Sequence, residues 1–456
     1  MNTKAVVLAA GEGKRMKSST PKPLHRVCGR SILEWAIASV RSADENPVII
    51  VGHGKEAVMK ALDGIGLQFV TQEEQKGTGH AVMVARPHIE KADCVLVTCG
   101  DMPMVKPESV QKLIDCITKS HQDAALLYSV AQDPTGYGRI IRDASGDIKA
   151  IVEHKDATEE QRAIKEINAS AYCFNKDMLL FALDHMDNNN AQNEYYLTDA
   201  ISIIANMGGK VVGVKGELDE GMGINDKTQL AQATAVLRGR INREHMLNGV
   251  TLLDPANTYI DYDVTIGRDT VVYPNNVLEA GTSIGEGCTL FPGSRISRSR
   301  IGNNAEIQSS VIIDTVIGDS AHIGPFAYTR PGSHIGSNVK IGDFVEIKNS
   351  SIGDGTKISH LTYVGDAKVG SNVNLGCGVV FVNYDGRKKH RIIVEDGAFI
   401  GCNTNLVAPV KVGKRAYTAA GSTITEDVPE EALAIARSRQ INKEGWVTKR
   451  GEGENK

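Results

Sequence analysis

The chain has 456 residues, of which 41% are apolar, and its 51 Lys and Arg residues nearly balance 55 Asp and Glu residues. This length predicts two large domains or about three smaller ones, with enough core to need no disulfide or metal for stability. The formal net charge of −4 gives no indication of a broad basic surface for nucleic acid or for an acidic membrane.

The amino-terminal sequence has neither a targeting nor a membrane-spanning pattern. Its first apolar run, residues 5–10, leads directly into Glu12, Lys14 and Arg15 and is too short for a signal peptide or a bilayer span. The eight cysteines form no CxxC pair, which argues against a zinc ribbon, a redox motif and a disulfide framework. We therefore expect a cytoplasmic protein that binds small molecules, with no nucleic-acid partner and no membrane span.

Strands and helices alternate in the first half of the chain. Continuous apolar runs predict buried strands at residues 5–8, 48–51, 94–98 and 124–130. Apolar residues at three- and four-residue spacing predict amphipathic helices at residues 32–40, 57–62, 81–85 and 110–117. This order favours an α/β domain with a mostly parallel sheet and helices on both faces. In such a domain, ligands bind beyond the carboxyl ends of the strands.

A long helix is predicted between the two halves. Residues 228–248 contain no proline and carry aliphatic side chains at helical spacing. Asn248 and Gly249 provide a helix stop. We therefore divide the chain into a first domain at residues 1–227, a linker helix and a second domain at residues 249–456.

The period of the apolar residues changes to six after this helix. The first unbroken series is Ile260, Ile266, Val272, Leu278, Ile284, Leu290 and Ile296. Neither a helix nor an ordinary strand has this period, whereas a solenoid of short parallel strands does, with one aliphatic side chain per hexad pointing inward. Glycine after the aliphatic residue, as at Gly267, tolerates the tight corner between faces. Residues 382–393 interrupt the hexads with a polar, basic sequence and are predicted as a functional loop.

A glycine-containing loop follows the first predicted strand. Residues 8–16 read L-A-A-G-E-G-K-R-M. Met16 stands where a Rossmann fingerprint needs its third glycine, and the Walker A spacing is absent. By itself, the loop is as consistent with a simple turn as with a phosphate site. Lys14, Arg15 and Lys22 concentrate cations beside backbone N–H groups that can face a phosphate chain.

Together with P-K-P-L at residues 21–24, this loop resembles the signature of sugar-nucleotide pyrophosphorylases. Further matching segments follow in the order of that family: residues 72–81 (QEEQKGTGHA), 100–103 (GDMP), 136–139 (GYGR), 153–156 (EHKD), Asn168 and residues 223–225 (GIN). With the hexads included, nearly the whole chain resembles the bifunctional family of glucosamine-1-phosphate acetyltransferases and N-acetylglucosamine-1-phosphate uridylyltransferases. The resemblance implies a Rossmann-like mixed sheet, then a left-handed parallel β-helix of hexapeptide repeats.

The resemblance implies a Mg²⁺-dependent uridylyltransferase site in the first domain. Asp101, which ends a buried strand, and the amide oxygen of Asn225 are the expected metal ligands, because Mg²⁺ needs few protein oxygens when phosphates complete its shell. Arg15 and Lys22 are expected to hold the phosphates of UTP, since two anions can meet only after their charge is neutralised. The other expected contacts are Leu8, Ala9, Ala10, Gly11, Gln72, Gly77 and Thr78 for the nucleotide, and Gly138, Glu153 and Asn168 for the N-acetylated sugar.

An acetyltransferase site is expected on the β-helix. Amide formation requires a free amine, and histidine titrates near the working pH, so His360 is the candidate general base. Glu346 is a candidate to orient it. The resemblance places Arg330 and Lys348 at the sugar phosphate and Tyr363 and Asn374 at the sugar. The contacts it implies for acetyl-CoA are Asn383 and Tyr384 on the loop, Cys377, Cys402 and Ala420 along the solenoid, and Arg437 near the carboxyl terminus.

Each of these residues alone has a plain structural alternative. Asp101 could cap a helix, Glu153 could be a solvated strand carboxylate and His360 could be a structural histidine. Their joint order favours an enzyme that acetylates glucosamine 1-phosphate and then couples the product to UMP. The alternatives are a single-activity nucleotidylyltransferase with an inert β-helix and a trimer-forming scaffold. The resemblance also implies a homotrimer.

Overall fold

The computed structural model describes residues 2–451, and the chain divides into two compact units, Met1–Arg240 and Ile241–Lys456. The strands of the first unit are β1 (Thr3–Ala9), β2 (Arg26–Val27), β3 (Arg30–Ser31), β4 (Val48–Val51), β5 (Gln68–Thr71), β6 (Cys94–Cys99), β7 (Ala124–Val130), β8 (Arg139–Arg142), β9 (Ile148–Val152), β10 (Glu166–Asn175) and β11 (Val211–Lys215). Its helices are α1 (Ile32–Val40), α2 (Lys55–Ala61), α3 (Thr78–Val84), α4 (Arg86–Ile89), α5 (Pro107–Thr118), α6 (Glu159–Arg162), α7 (Lys176–Asp184) and α8 (Asp199–Asn206). Short 3₁₀ turns occupy Lys14–Met16, Lys22–Leu24 and Leu218–Gly221.

The main sheet of this unit is mixed, with strand order β11-β7-β10-β6-β1-β4-β5. β1 pairs in parallel with β4 and β6, whereas β10 is antiparallel to both β6 and β7. The hairpin of β8 and β9 joins the sheet at β10, and β2 and β3 form a separate ribbon. The predicted α/β domain with a mixed, Rossmann-like sheet is confirmed.

Side chains of β1 alternate between two apolar cores. Val6 and Leu8 pack into the core that contains side chains of α3, α7 and α8, and Val7 and Ala9 pack into the core that contains those of α1, α2 and α5. This alternation follows from the two-residue period of a strand. Because helices cover both faces, the strand is a continuous apolar run.

Loops that leave the parallel strands meet at one edge of this sheet. The Gly100 N–H, after β6, donates to the Leu8 carbonyl at 2.8 Å, and the His53 N–H, after β4, donates to the Ala10 carbonyl at 3.2 Å. A Cβ on Gly100 would lie 3.1 Å from both the Leu8 oxygen and the Ala9 Cβ. Glycine therefore lets these loops approach closely, at the edge where the sequence places its nucleotide contacts.

Helix α9 (Lys227–Leu247) contains the division between the units, and the second unit is a solenoid of three parallel sheets. The first solenoid sheet contains Thr251–Leu252, Val271–Val272, Thr289–Leu290, Glu306–Ile307, His322–Ile323, Lys340–Asp343, Lys357–His360, Asn374–Leu375, Phe399–Ile400, Tyr417–Thr418 and Leu433–Ala434. The second contains Tyr259–Ile260, Val277–Leu278, Arg295–Ser297, Val311–Ile313, Tyr328–Thr329, Glu346–Lys348, Tyr363–Gly365, Val380–Val382, Asn405–Val407 and Thr423–Ile424. The third contains Thr265–Ile266, Ser283–Ile284, Arg300–Ile301, Thr315–Ile317, Ser333–Ile335, Ser351–Ile352, Ala367–Val369, Ile392–Val394 and Val410–Val412. A 3₁₀ turn (Pro255–Asn257) and helix α10 (Trp446–Gly451) complete the unit.

The hexad residues form the interior of this solenoid. Ile296 and Ile312 are fully buried Cα partners on adjacent coils, and Ile347 and Val364 repeat the arrangement further along the chain. A Cβ on Gly267 would lie 2.6 Å from a backbone nitrogen of the next coil, so that corner requires glycine. The predicted left-handed parallel β-helix of hexapeptide repeats is confirmed.

The sequence between Val380–Val382 and Ile392–Val394 leaves the solenoid as a braced loop. The Asp385 carboxylate accepts from the N–H groups of Arg387 and Lys388 at 2.8 and 2.7 Å and lies 2.7 Å from His390 Nε2. The Lys388 N–H, followed by the His390 side chain and the Arg387 N–H, lowers the pKa of Asp385 to about 2. The Asp385 carboxylate therefore ties three positions of the loop together, and the His390 N–H adds a bond to the Asn383 carbonyl at 2.8 Å.

The interior position of Phe381 generates a stability prediction. Phe381 is fully buried, while its neighbour Val380 is 37% exposed. Because truncation of a buried aromatic leaves a cavity, Phe381→Ala is expected to lower the free energy of unfolding of the second unit by about 3–5 kcal/mol. Val380→Ala, the matched control, should cost less than about 1 kcal/mol. Urea denaturation followed by circular dichroism measures both, and equal losses would contradict the inward and outward assignments.

Candidate active sites

The loop after β1 holds the stem of Lys22 against Gly13. Gly13 has φ of +67°, and a Cβ there would lie 2.6 Å from the Lys22 Cβ. Glycine therefore supplies both the left-handed conformation and the room that the lysine needs. Among the other predicted nucleotide contacts, the structure places Leu8, Ala9 and Ala10 in buried positions and Gly11 and Arg15 in exposed positions.

Lys22, Asp101 and Asn225 converge on one point. The Lys22 Nζ atom donates to Asp101 Oδ2 at 2.6 Å and to Asn225 Oδ1 at 3.0 Å. The Ile224 N–H donates to the Asp101 carbonyl at 3.0 Å, which ties the two loops together. In this structure the Lys22 ammonium group lies between the Asp101 and Asn225 oxygens. A carboxylate oxygen and an amide oxygen that converge in this way are suitable ligands for Mg²⁺. Within residues 2–451 no cluster of three or more His, Cys, Asp or Glu side chains forms a metal site, so phosphate and water would complete the shell.

The three residues predicted to bind uracil lie together. Gln72 is buried, and its Nε2 atom donates to the Gly77 carbonyl at 3.1 Å and lies 3.0 Å from His80 Nδ1. Gly77 has φ of +106°, and a Cβ there would lie 2.5 Å from the Tyr195 carbonyl oxygen. Thr78 begins α3 directly after it. Glycine is therefore required at the point where this loop turns into the helix.

Gly138, Glu153 and Asn168 form a second group in the same unit. The Asn168 N–H donates to the Gly138 carbonyl at 2.9 Å, and a Cβ on Gly138 would lie 3.5 Å from Glu153 Oε1. Burial raises the pKa of Glu153, and the nearby charge of Asp199 adds to this effect. The group therefore places a closely packed glycine beside a partly desolvated carboxyl.

A cavity of ≈ 340 Å³ adjoins Glu153. Its lining includes the carboxylates of Glu153, Asp156, Asp187 and Asp199, and none of these four forms an ion pair with a described residue. Burial raises the pKa of Asp199 to about 6, with the charges of Asp187 and Asp156 adding to the effect. The first unit thus contains uncompensated negative charge beside its predicted sugar subsite.

His360 projects into solvent from the end of a solenoid strand. Its side chain is 57% exposed, and Nδ1 lies 2.6 Å from Asp343 Oδ1. The two residues are Cα partners in adjacent strands. The hydrogen bond from His360 holds the pKa of Asp343 below its usual value. The structure therefore places the imidazole outside the aliphatic interior, with Nε2 pointing away from its carboxylate partner.

The carboxylate that pairs with His360 is that of Asp343, whereas Glu346, which the sequence analysis offered for this role, has a different partner. Glu346 lies on the second solenoid sheet and His360 on the first, so their side chains leave different faces. The Glu346 carboxylate instead accepts from Arg330 Nη1 at 2.8 Å. The Arg330 guanidinium also lies over the Tyr328 ring, 6.0 Å from its centroid, and these contacts fix it in an outward direction.

Three predicted site residues, Lys348, Tyr363 and Asn383, lie close together around Asp366. It lies 3.4 Å from Lys348 Nζ and accepts from Asn383 Nδ2 at 2.6 Å, and Asn383 Nδ2 lies 3.5 Å from the Tyr363 hydroxyl. A Cβ on Gly365 would lie 2.6 Å from Asn383 Nδ2. A side chain at position 365 would therefore break up this group.

Lys389, which the sequence does not single out, lies beside the predicted phosphate-binding residue Lys348. Lys348, as a hydrogen-bonding neighbour and a positive charge, lowers the pKa of Lys389, and Arg330 adds to the effect. Arg330 and Lys348 pair with the carboxylates of Glu346 and Asp366, so the addition of Lys389 leaves the group with a net positive charge, which favours an anionic ligand there. The basic run at residues 387–389 was the available signal, but only the loop conformation shows which of its members turns toward Lys348. Tyr384, on the same loop, donates its hydroxyl to the Gly386 carbonyl at 2.8 Å.

Cys377, Cys402 and Ala420 occupy one corner on three successive coils. N–H groups of the residues after Cys402 and Ala420 donate to the carbonyls of Cys377 and Cys402 at 2.7 and 2.9 Å. Asn374 lies in the strand that leads into this corner, and a Cβ on the glycine after Ala420 would lie 4.0 Å from Arg437 Cδ. Four of the six residues predicted to contact acetyl-CoA thus lie along one edge of the solenoid, three of them small and the fourth an arginine at the end.

Comparison with known proteins agrees with both halves of this architecture. The family of MobA-like NTP transferase domains matches residues 5–168. The family of bacterial transferase hexapeptide (six repeats) matches residues 314–349.

Curated relatives match along nearly the whole chain. The bifunctional protein GlmU of Clostridium botulinum (strain Langeland / NCTC 10281 / Type F) is 51% identical over 449 residues, which are 98% of this chain and 98% of that protein. The protein of the same name from Geobacillus sp. (strain WCH70) is 53% identical over 97% of each chain. That from Acetivibrio thermocellus is 53% identical over 98% of this chain and 97% of its own. This chain belongs to the GlmU family.

Membership of the GlmU family confirms the predicted function. The chain is a bifunctional enzyme of UDP-N-acetylglucosamine synthesis, with uridylyltransferase and acetyltransferase activities that imply nucleotide and acyl-CoA substrates. The single-activity and scaffold alternatives are left without support. Among the helices of residues 2–451, none is both long and apolar enough to cross a membrane.

Asp199 is expected to make the stability of the first unit depend on pH. Its folded-state pKa of about 6 lies above the ordinary value of 3.8, so the folded protein binds this proton more tightly than the unfolded chain does. The resulting penalty on folding is absent below the ordinary value, grows as pH rises and is complete above about pH 6. Asp199→Asn is therefore expected to raise the melting temperature at pH 8 and to raise it less at pH 5.

Differential scanning calorimetry at the two pH values measures this difference. Glu56→Gln, on the exposed face of α2, is the control and should change the melting temperature equally at both. An Asp199→Asn effect of the same size at pH 5 and pH 8 would contradict the assignment.

Proposed function

We propose that the two reactions use separate groups of residues, one in each unit. Acetylation of glucosamine 1-phosphate comes first, on the solenoid, and the first unit then couples the N-acetylated product to UMP. The observation that supports this proposal is that each unit contains its own cluster of predicted site residues. In the first unit, the oxygens of Asp101 and Asn225 meet on one cation; in the second, a solvent-facing His360 imidazole pairs with a carboxylate.

Acetyl transfer begins with the removal of a proton from the substrate's ammonium group, because only the free amine attacks. His360 Nε2 accepts that proton. The amine nitrogen then bonds to the acetyl carbonyl carbon, the carbon–sulfur bond of acetyl-CoA breaks, and coenzyme A leaves as its thiol after taking up a proton.

Cations and small side chains position the two substrates of this step. Arg330 and Lys348, with Lys389 beside them, neutralise the sugar phosphate. Tyr363 and Asn374 hold the sugar. The residues that contact acetyl-CoA are Asn383, Tyr384, Cys377, Cys402, Ala420 and Arg437. Small residues in the corner column let backbone N–H groups reach the thioester carbonyl, which favours the tetrahedral transition state.

Uridylyl transfer joins two anions, so charge neutralisation dominates its barrier. Arg15 and Lys22 bind the phosphates of UTP. A phosphate oxygen of N-acetylglucosamine 1-phosphate bonds to the α-phosphorus, the bond from that phosphorus to the bridging oxygen breaks, and pyrophosphate leaves. Gln72, Gly77 and Thr78 contact uracil, the loop of Leu8, Ala9, Ala10 and Gly11 follows the nucleotide, and Gly138, Glu153 and Asn168 hold the sugar.

Asp101 and Asn225 are the residues that would hold Mg²⁺ in this unit. When bound, Mg²⁺ supplies positive charge to the phosphates. Lys22 now donates to the same two oxygens, and in the loaded site it donates to phosphate instead.

The domain boundaries follow from the same assignment. Residues 1–227 carry uridylyl transfer, residues 228–248 link the halves, and residues 249–456 carry acetyl transfer. Six of these residues, Met1 and residues 452–456, lie outside the described part of the chain.

The protein is proposed to act as a homotrimer in the cytoplasm. Phe326, Phe344 and Leu361 form an exposed apolar column on the solenoid, each 57–59% exposed, with the two phenyl rings stacked 5.5 Å apart. Such a column favours contact with other copies of the chain. The eight cysteines are free, which suits a reducing compartment.

Asp101→Ala removes one of the two converging oxygens. It is expected to reduce Mg²⁺-dependent release of pyrophosphate from UTP and N-acetylglucosamine 1-phosphate at least about 100-fold, and to leave acetyl transfer within about twofold. Asp177→Ala, an exposed carboxylate on α7, is the control. Unchanged pyrophosphate release in Asp101→Ala would remove this residue from the site.

His360→Ala tests the other unit in the opposite direction. Loss of a general base is expected to lower kcat for acetyl transfer about 10²- to 10⁴-fold, while uridylyl transfer stays nearly intact. Thiol release from acetyl-CoA in the presence of glucosamine 1-phosphate measures the first activity. His334→Ala, another solenoid histidine outside the proposed site, should leave both activities near their normal values. Equal loss of both activities in His360→Ala would rule out separate sites.

A further inference from the structure

We infer that Asp343 is a positioning residue for acetyl transfer, whose carboxylate holds His360 with its proton on Nδ1 and the lone pair of Nε2 toward the substrate amine. The inference rests on the proposed role of His360 as general base. It names a residue that the sequence motifs did not, and it assigns to Asp343 the role that was expected of Glu346.

The geometry that supports this role is specific. Asp343 Oδ1 lies 2.6 Å from His360 Nδ1, which is a short hydrogen bond even for a carboxylate and an imidazole N–H. An acceptor at Nδ1 selects the tautomer that carries its proton there, which leaves Nε2 as the basic nitrogen. The hydrogen bond from His360 lowers the pKa of Asp343, so the carboxylate stays ionised and can stabilise the imidazolium that forms when Nε2 takes a proton.

The backbone positions Asp343 and His360 because the two strands that carry them are longer than most strands of their sheet. Most strands of the first solenoid sheet have two residues, but Lys340–Asp343 and Lys357–His360 have four. The extension brings Asp343 and His360 into register as Cα partners, and the Leu361 N–H donates to the Asp343 carbonyl at 3.0 Å. The carboxylate is therefore placed by main-chain pairing rather than by a flexible loop.

Other charged groups around His360 do not compete for this role. Lys340 and Lys357 are paired at the opposite end of the same two strands. The strand on the other side contributes Asn374, which is uncharged, and the titratable group that follows it is the Cys377 thiol. Among the ion pairs of the described residues, the one that includes His360 is the pair with Asp343.

A purely structural role is disfavoured by exposure. The His360 and Asp343 side chains are 57% and 39% exposed, and exposed ion pairs contribute little to folding. Glu306 and His322 provide a matched pair on the same solenoid sheet, 3.0 Å apart and 51% and 54% exposed. That pair lies outside the proposed site, so it serves as an internal control for the stabilising effect of such a contact.

The test compares Asp343→Asn with Glu306→Gln in the full-length enzyme, with acetyl-CoA and glucosamine 1-phosphate as substrates. Asp343→Asn keeps the shape and removes the charge. It is expected to lower kcat for acetyl transfer about 10-fold or more, with KM for glucosamine 1-phosphate unchanged within about twofold. The acidic limb of the kcat pH profile should move to lower pH by about 0.5–1 unit, because the imidazolium loses its carboxylate. Glu306→Gln should leave kcat and the profile unchanged.

Two more variants distinguish failure of the positioning role of Asp343 from failure of the proposed general base. Asp343→Glu restores the charge and is expected to recover part of kcat. Asp343→Asn kinetics that match those of Glu306→Gln, or a joint loss of acetyl and uridylyl transfer, would overturn the inference. His360→Ala, assayed in parallel, tests the proposed function by itself. If His360→Ala is inactive in acetyl transfer while Asp343→Asn is fully active with an unshifted profile, the general base stands and the positioning role fails.

Discussion

Parallel pairing of short strands, held in register by buried aliphatic side chains, is the constraint on which the acetyltransferase half depends. Each coil returns the chain to the same face after a nearly fixed number of residues, so partners in the site lie 16–18 positions apart in sequence. The pairs are Arg330 with Glu346, Asp343 with His360, and Lys348 with Asp366. A slip of one residue in one strand would turn its outward side chains into the core, so the same contacts determine both folding and site geometry.

In the first unit, loops rather than strand pairing bring together site residues that are distant in sequence. Lys22 reaches oxygens that lie 79 and 203 positions away in sequence. Precision comes from main-chain hydrogen bonds between the loops at the carboxyl ends of the strands, such as those from Gly100 to Leu8 and from Ile224 to Asp101. Parallel strands deliver these loops to one edge of the sheet, and glycine lets them pack closely there.

The structural elements that were predicted from the sequence are those in which apolar residues recur at regular spacing or form a continuous run. Helix α1 and strand β7 begin and end at the expected residues, and the period of six indicates the solenoid. The antiparallel direction of β10 was not predictable, since the direction of a strand is set by its neighbours rather than by its own side chains. The same limit explains why the partner of Glu346 was not predicted. Its outward direction follows from the period, but which neighbour it meets depends on the sheet to which it belongs. Lys389 was missed because its place depends on how Asp385 folds the loop.

The braced loop that follows Val380–Val382 leaves the coil without disturbing it. On one side of the excursion Phe381 lies opposite Leu406, and on the other Ile392 lies opposite Val410, each in the next coil. An insertion or deletion between these anchors shifts no interior contact. The part of the site that lies on this loop, which includes Asn383, Tyr384 and Lys389, can therefore vary in sequence while the solenoid that carries the other site residues is conserved in shape.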